Sequence, residues 1–168
     1  MSIPSFLCLG TLCAQLLTFT HSLQASPPPL VKGDVISGVR TTAYTHTEAD
    51  HIEYGVRSAV GTTLKSAELR SAAADWSIYP QGTRFQIEGD PAIYVVDDYG
   101  SALVGTKTID IYQPTKAAMN KYGTREVDIR VLSWGSRAKS LEILKPRARK
   151  AAHVRRMISR LQAKSSAA

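Results

Sequence analysis

The 168-residue sequence contains only two cysteines, Cys8 and Cys13, and both lie in one apolar run near the N-terminus. If that run is removed after export, the mature chain has no cysteine. Disulfide bonds, thiolate metal sites and a thiol nucleophile are then excluded. Glycine and proline are present in ordinary numbers, with 11 and 8 residues, so the composition does not indicate wholesale disorder.

Charge is also lacking in the N-terminal segment. Residues 6–19 (FLCLGTLCAQLLTF) carry none, and this run is too short to span a bilayer comfortably. Small residues follow in SLQAS, so residues 1–25 are predicted to be a signal peptide that is cleaved after Ala25, with an uncleaved anchor as the alternative. The predicted location is therefore the periplasm, the cell envelope or the exterior.

Acidic residues are scarce at the opposite end of the chain. Residues 137–168 hold ten Lys/Arg and one acid, whereas the other 136 residues hold eleven Lys/Arg and thirteen acids. The net charge of +7 therefore resides in a basic C-terminal tail, within which residues 147–163 favour a helix with Val154, Ile158 and Leu161 on one side. The tail is interpreted either as an attachment to an anionic surface or as a poorly ordered extension, which is the commoner fate of chain ends.

Between these ends, residues 26–35 are predicted to be a proline-rich linker and residues 36–136 a single β-rich domain. Short apolar or alternating segments predict strands, and Gly residues punctuate them as turns. The pattern favours a small closed barrel. The predicted strands are 39–44, 83–88, 92–96, 108–112 and 125–132. One helix is predicted from Thr115 to Tyr122, with Gly123 ending it. Residues 64–74 are compatible with either a helix or a strand.

Three aspartates, Asp75, Asp98 and Asp110, stand at the edges of apolar strand-like segments. Carboxylates are rarely buried without a partner, so each is either a turn device or part of a polar cleft. Asp110 lies between Ile109 and Ile111, and alternation directs it away from the core that the isoleucines enter. Asp98 precedes a Gly-Ser turn. The adjacent Asp97 is predicted to be solvated on the opposite face.

The segments that surround these aspartates occur in an order that resembles a known family. The resemblance runs from Thr42 to Leu132 and covers the 3D domain, which is named for three aspartates. MltA-type lytic transglycosylases and secreted stationary-phase and cell-wall proteins share this domain. The matching segments are Thr42-Ala43-Tyr44, Gly61-Thr62, Ala74-Asp75, Tyr79-Pro80-Gln81-Gly82-Thr83, the turn from Asp98 to Gly105, the strand Thr108–Tyr112, the helix Ala117–Gly123 and the strand Val127–Leu132.

The resemblance implies a mainly β fold, a six-stranded double-psi β-barrel with a groove across it. It also implies a lytic transglycosylase-like reaction on peptidoglycan, in which the bond between MurNAc and GlcNAc is cleaved with closure of a 1,6-anhydro ring. Asp110 is then the acid/base, Asp98 its neighbour and Asp75 a supporting residue. The predicted substrate-binding residues are Trp76, Tyr99, Gly100, Ser101 and Tyr112.

Other functions remain open at this stage. The alternative is a non-catalytic cell-wall polysaccharide-binding module of the expansin type, in which Trp76, Tyr99 and Tyr112 are sugar platforms. His46, Glu48, Asp50 and His51 could ligate a metal, but their spacing matches no established site, so no metal and no cofactor is predicted. Peptidoglycan glycan strands are the predicted partner and the protein is predicted to be a monomer. Specific nucleic-acid binding would rest on the tail alone and conflicts with export.

Overall fold

A computed structural model describes residues 33–49 and 52–166. Six strands and three α-helices account for most of the regular structure. The strands are β1 (Asp34–Tyr44), β2 (Leu69–Ala73), β3 (Arg84–Ile87), β4 (Ile93–Asp98), β5 (Ile109–Tyr112) and β6 (Arg125–Ser133); the helices are α1 (Lys116–Tyr122), α2 (Arg137–Leu144) and α3 (Ala152–Ser166).

The strands close into a barrel in the order β1-β5-β2-β4-β3-β6. Two neighbouring pairs, β1 with β5 and β2 with β4, are parallel, and the other four pairs are antiparallel. Because parallel neighbours need long crossover connections, the chain cannot be a simple meander. The prediction of a mainly β fold with a closed six-stranded barrel is confirmed.

Alternating side chains build the interior of the barrel. Ile109 and Ile111 of β5 and Ile129 of β6 are fully buried, and Phe85 of β3 packs among the same core residues. Successive side chains of a strand point to opposite faces, so each of these strands has an outer face free for polar residues. The predicted alternation in 83–88, 108–112 and 125–132 is therefore confirmed.

Helix α1 follows its predicted signals. The hydroxyl of Thr115 accepts a hydrogen bond from the backbone N–H of Ala118 at 3.1 Å, which caps the helix. Gly123 ends the helix with φ of 63°, a conformation that favours glycine.

The segment 64–74, which was compatible with helix or strand, contains strand β2. Tertiary pairing overrides the helix propensity of its alanines, because β2 is paired on both sides, with β4 and with β5. Ser71, Ala72 and Ala73 are buried there.

The C-terminal segment is an ordered part of the domain core. Val154, Met157 and Leu161 of α3 and Leu144 of α2 are buried in the same apolar cluster as the barrel residues. The interpretation of this segment as a poorly ordered, solvated extension is wrong, because apolar side chains one helix turn apart outweigh the surrounding charges. The helix and its apolar face were correctly predicted, with Ile158 half-buried at the edge of that face.

At the other end of the domain, β1 begins at Asp34, inside the predicted linker 26–35. The predicted signal peptide, residues 1–25, lies outside the described residues. Within 33–49 and 52–166, no helix has both the length and the apolar character needed to cross a membrane.

Replacing Met157 with alanine tests whether α3 belongs to the core. The side chain is fully buried, so Met157→Ala should lower the free energy of unfolding by about 2–5 kcal/mol in a denaturant titration. Ser159→Ala on the exposed face of the same helix is the control and should change stability by less than about 0.5 kcal/mol. Equal stabilities of the two variants would show that α3 does not pack on the barrel.

Candidate active-site groove

Strand pairing brings two of the three aspartates to one level of the barrel. Ala73 of β2 is paired with Asp98 of β4 on one side and with Asp110 of β5 on the other. Asp110 is in turn paired with Thr42 of β1. Since neighbouring strands lie about 4.8 Å apart, the Cα atoms of the two aspartates are separated by about 10 Å.

This row of residues forms the floor of a groove with a volume of about 980 Å³. Other parts of the chain supply its walls: Glu48 and the loop from Glu53 to Gly61 form the loop wall, the turn from Tyr99 to Leu103 lies beside the floor, and the segment from Arg147 to Val154, which leads into α3, forms what we call the helical wall. Small-molecule sites commonly enclose about 300–1,000 Å³, so the groove is large enough for more than one sugar ring.

Asp110 lies half-buried on the floor, between the fully buried Ile109 and Ile111. Its Oδ1 accepts a hydrogen bond of 2.7 Å from the hydroxyl of Thr42 on the neighbouring strand. The predicted orientation, away from the core that the isoleucines enter, agrees with this placement. The carboxyl group is thus held on a rigid strand at the floor of the groove.

Asp98 is nearly buried, with 6% of its surface exposed, and it also lies on the groove. Its Oδ1 accepts hydrogen bonds from the backbone N–H groups of Ala59 at 3.1 Å and Tyr99 at 2.9 Å. Its Oδ2 accepts one from the Tyr44 hydroxyl at 3.1 Å. Asp98 therefore stabilises a turn, by accepting from the N–H of Tyr99, and is also part of the polar cleft.

Tyr44 is a groove residue that the sequence reasoning did not select. Burial raises the pKa of its phenol well above the ordinary value, and the negative charges of Asp98, Asp97 and Asp110 raise that pKa further. The phenol consequently stays neutral and donates to Asp98. The segment Ala43-Tyr44 had already been identified as part of the resemblance, which was the available signal.

Asp75 lies away from the groove lining and is fully buried. Its Oδ1 accepts from the N–H of Ser77 at 2.8 Å, and its Oδ2 accepts from the N–H of Gly105 at 2.7 Å and from Nη1 of Arg160 at 3.2 Å. Gly105 has a φ of 93°, and a Cβ there would lie 3.2 Å from the Arg160 guanidinium. Asp75 therefore fixes a turn and ties α3 to the barrel.

The predicted sugar-contacting residues divide into two groups. Tyr99, Gly100 and Ser101 lie on the groove. Trp76 is fully buried and donates its Nε1–H to the carbonyl of Asp98 at 2.8 Å. Tyr112 is 4% exposed, and its hydroxyl lies 2.9 Å from Nδ1 of His46.

The prediction that Trp76 and Tyr112 provide stacking platforms is therefore wrong, because a buried ring has no free face for a sugar. Trp76 instead supports the strand end that carries Asp98. The aromatic residue that does lie on the groove with a large exposed surface is Tyr54, at 57% exposure. Tyr54 stands in a loop segment that matches no motif, so the sequence did not indicate it as a groove residue.

Asp97 is also placed differently from the prediction. It is 3% exposed, and its Oδ2 accepts from Nζ of Lys65 at 2.7 Å and from the hydroxyl of Ser71 at 2.8 Å. The expectation of a solvated side chain is wrong, because Lys65 and Ser71 supply a buried polar partner set that sequence alternation does not reveal.

The ligand-rich stretch 46–51 is only partly described, since Asp50 and His51 lie outside the described residues. Glu48 accepts from the backbone N–H of Thr45 at 3.1 Å and lies on the groove wall. In the described ranges, no group of three or more His, Cys, Asp or Glu side chains is arranged to hold a metal ion.

The helical wall of the groove was not predicted. Arg147 donates from Nη2 to the carbonyl of Ala59 at 2.8 Å and from Nη1 to the Tyr99 hydroxyl at 3.4 Å. Lys150 and His153 also line the groove. The basic C-terminal segment thus places cations beside the carboxylates of the floor.

One comparison with known proteins gives a match. Residues 70–133 match the family model of the 3D domain, which confirms the predicted resemblance to that domain over this part of the chain. The match covers β2 to β6 with all three aspartates, whereas Thr42, Tyr44 and the C-terminal helices lie outside it. No curated protein matches the chain.

Matched Asp→Asn substitutions should separate the structural aspartate from the groove aspartate. Asp75→Asn should lower the free energy of unfolding by about 3 kcal/mol, because an amide cannot accept from both backbone N–H groups and the guanidinium. Asp110→Asn should lower it by less than about 1 kcal/mol, because the amide oxygen can still accept from Thr42. Chemical denaturation measures both, and equal losses would contradict the assignment of Asp75 as a structural residue.

The buried phenols predict a loss of stability in alkali. The pKa values of Tyr44, Tyr79, Tyr94, Tyr112 and Tyr122 are all raised, in each case chiefly by burial. Unfolded tyrosine ionises near pH 10, so above about that pH the unfolded state binds fewer protons and the free energy of unfolding falls as pH rises. Below about pH 10, the stabilising contribution of the buried, neutral phenols is fully present.

Denaturation at several pH values between 8 and 12 measures this slope. Tyr44→Phe should make the decline above about pH 10 shallower, because one raised phenol is removed. An unchanged slope in Tyr44→Phe would contradict the buried, neutral state of that phenol.

Proposed function

We propose that this 3D-domain protein is an exported, lytic transglycosylase-like enzyme that acts on peptidoglycan. The reaction cleaves the bond between MurNAc and GlcNAc and closes a 1,6-anhydro ring on MurNAc. The observation that carries the proposal is the placement of Asp98 and Asp110 on the two sides of Ala73, at the floor of one large groove. The resemblance to MltA-type enzymes supports the choice of substrate.

Asp110 is proposed as the acid/base. In the first step its protonated carboxyl gives the proton to the glycosidic oxygen, and the bond from that oxygen to C1 of MurNAc breaks. The carboxylate then takes the proton of the MurNAc 6-hydroxyl as that oxygen bonds to C1. One residue therefore both gives the proton and takes one back. No second carboxylate is needed to activate water, unlike in inverting hydrolases.

Asp98 is proposed to stabilise the positive charge that develops on the sugar ring. Three donors, from Tyr44, Ala59 and Tyr99, converge on its carboxylate and fix its orientation. A preorganised negative charge near an oxocarbenium-like transition state lowers its energy without reorganisation during the reaction. Asp75 contributes indirectly, because it holds the turn at Gly105 that precedes β5.

The shape of the groove suits a polysaccharide. A volume of about 980 Å³ lies at the upper end of ordinary ligand sites, and the exposed ring of Tyr54 offers a surface on which a sugar could stack. We further propose that the protein works as a monomer in the periplasm or cell envelope, with peptidoglycan strands as its partner.

A non-catalytic wall-binding module is the second candidate. One observation favours it: cationic side chains, Arg147 and Lys150, share the groove with the carboxylates. Such a groove could retain an anionic wall polymer without cleaving it, and a fold does not determine a function.

Product analysis separates the two candidates. The protein without its predicted signal peptide, residues 26–168, is incubated with purified sacculi, and the soluble products are analysed by mass spectrometry. The wild type should release anhydro-muropeptides, and Asp110→Asn should lower their yield by about 100-fold or more, because general acid–base catalysis typically contributes at least that factor.

Asp128→Asn is the control for this assay. Asp128 is an exposed aspartate on β6 that does not line the groove, so this variant should keep the wild-type yield. If the wild type and Asp110→Asn release no products but both sediment with sacculi, the binding module is the correct function. If the wild type and Asp110→Asn both release anhydro-muropeptides in equal yield, another residue is the acid.

A further inference from the structure

We propose that Arg147, Lys150 and His153 form an anion-binding subsite on the helical wall of the groove, which takes a carboxylate carried by a substituent of the glycan. The inference rests on the proposed function in one respect, since it takes a glycan as the occupant of the groove. It adds that recognition depends on the acidic substituent as well as on the sugar rings.

Two of the three side chains, Arg147 and His153, meet at Tyr99, and Lys150 lines the same groove. The Tyr99 hydroxyl accepts from Nη1 of Arg147 at 3.4 Å, and its ring centre lies 5.9 Å from that of His153. Tyr99 directly follows Asp98 in the chain and itself lines the groove. The cationic wall therefore lies about one side chain away from the carboxylates of the floor.

The charges of the groove are separated by position. Asp98 and Asp110 occupy the floor, and the loop wall holds Glu48, Glu53 and one cation, Arg57, whereas Arg147 and Lys150 stand on the helical wall, which has no acidic residue in the groove lining. A substrate anion would be repelled by the floor and attracted most strongly to the helical wall, an interaction that grows as water is excluded. The favoured orientation of an acidic substituent is therefore the one that brings it to the helical wall.

Donors are available for such an anion. In the part of the chain that the structure describes, the exposed side chain of Lys150 forms no hydrogen bond or ion pair with the protein. Arg147 uses two of its nitrogens to bond Ala59 and Tyr99, and a guanidinium carries five N–H groups. The bond to Ala59 holds it in place, so little entropy is lost when it binds an anion.

His153 contributes as a neutral group. Burial lowers its pKa, and the nearby charge of Arg156 lowers that pKa further. The ring therefore carries one N–H donor at neutral pH, and Arg147 and Lys150 supply the positive charge. A MurNAc residue that carries no stem peptide has the required chemistry, since its lactyl ether ends in a free carboxylate.

Paired ligands test the inference through binding alone. The ligands are a MurNAc-containing tetrasaccharide with free lactyl carboxylates and the same tetrasaccharide with these groups converted to neutral amides. Calorimetry is performed at low salt on the full chain carrying Asp110→Asn, so that no ligand is consumed. The protein should bind the acidic ligand about fivefold more tightly than the amide, as expected of one partly exposed charge contact.

Adding Lys150→Ala should abolish most of this preference, and Lys150→Arg should retain it. Lys145→Ala removes the same charge from an exposed position that lies just before this segment and does not line the groove, so the preference should persist. Equal affinities for acid and amide before any change at Lys150, or a preference that survives both Lys150→Ala and Arg147→Gln, would overturn the subsite.

The outcomes distinguish this inference from the proposed function. Anhydro-muropeptide release by the wild type together with charge-insensitive binding would overturn the subsite and leave the enzyme. A charge preference that depends on Lys150, in a protein that releases no products, would support the subsite and reject the enzyme. Failure to bind either tetrasaccharide would reject the glycan groove and the subsite with it.

Discussion

The pairing of β2 between β4 and β5 is the constraint on which the site depends. Ala73 has Asp98 as its partner on one side and Asp110 on the other, so two carboxylates from different strands share one level of the barrel. A slip of one residue in either pairing would turn one aspartate to the opposite face. The closed barrel resists such a slip because each strand is paired on both sides.

The C-terminal helices pack on the barrel and share its apolar core. Met157 and Leu161 bury their side chains in the common core, and Arg160 pairs with the fully buried Asp75. A buried carboxylate is costly unless it is paired and hydrogen-bonded, so Asp75 couples the helix to the turn at Gly105. The same segment supplies one wall of the groove, and its basic residues are thereby part of the site.

Most of the fold, but only part of the site, could be predicted from the sequence. Alternation around Ile109 and Ile111 and the capping residues Thr115 and Gly123 act locally, so β5 and α1 could be located without tertiary information. The burial of Trp76 could not, because it depends on which strands close around it. The position of Arg147 depends likewise on how a helix packs on the barrel, and charge counts had suggested an extension in solvent.

The most direct test of the central claim is a crystal structure of the Asp110→Asn variant with a MurNAc-containing tetrasaccharide. The account predicts a sugar chain in the groove, with a glycosidic oxygen within about 3.2 Å of the side chain at position 110, as a general acid requires. It also predicts Asp98 on the same side of the chain and Asp75 still bonded to Arg160. A chain bound elsewhere on the barrel, or one whose glycosidic oxygens all lie beyond reach of residue 110, would contradict it.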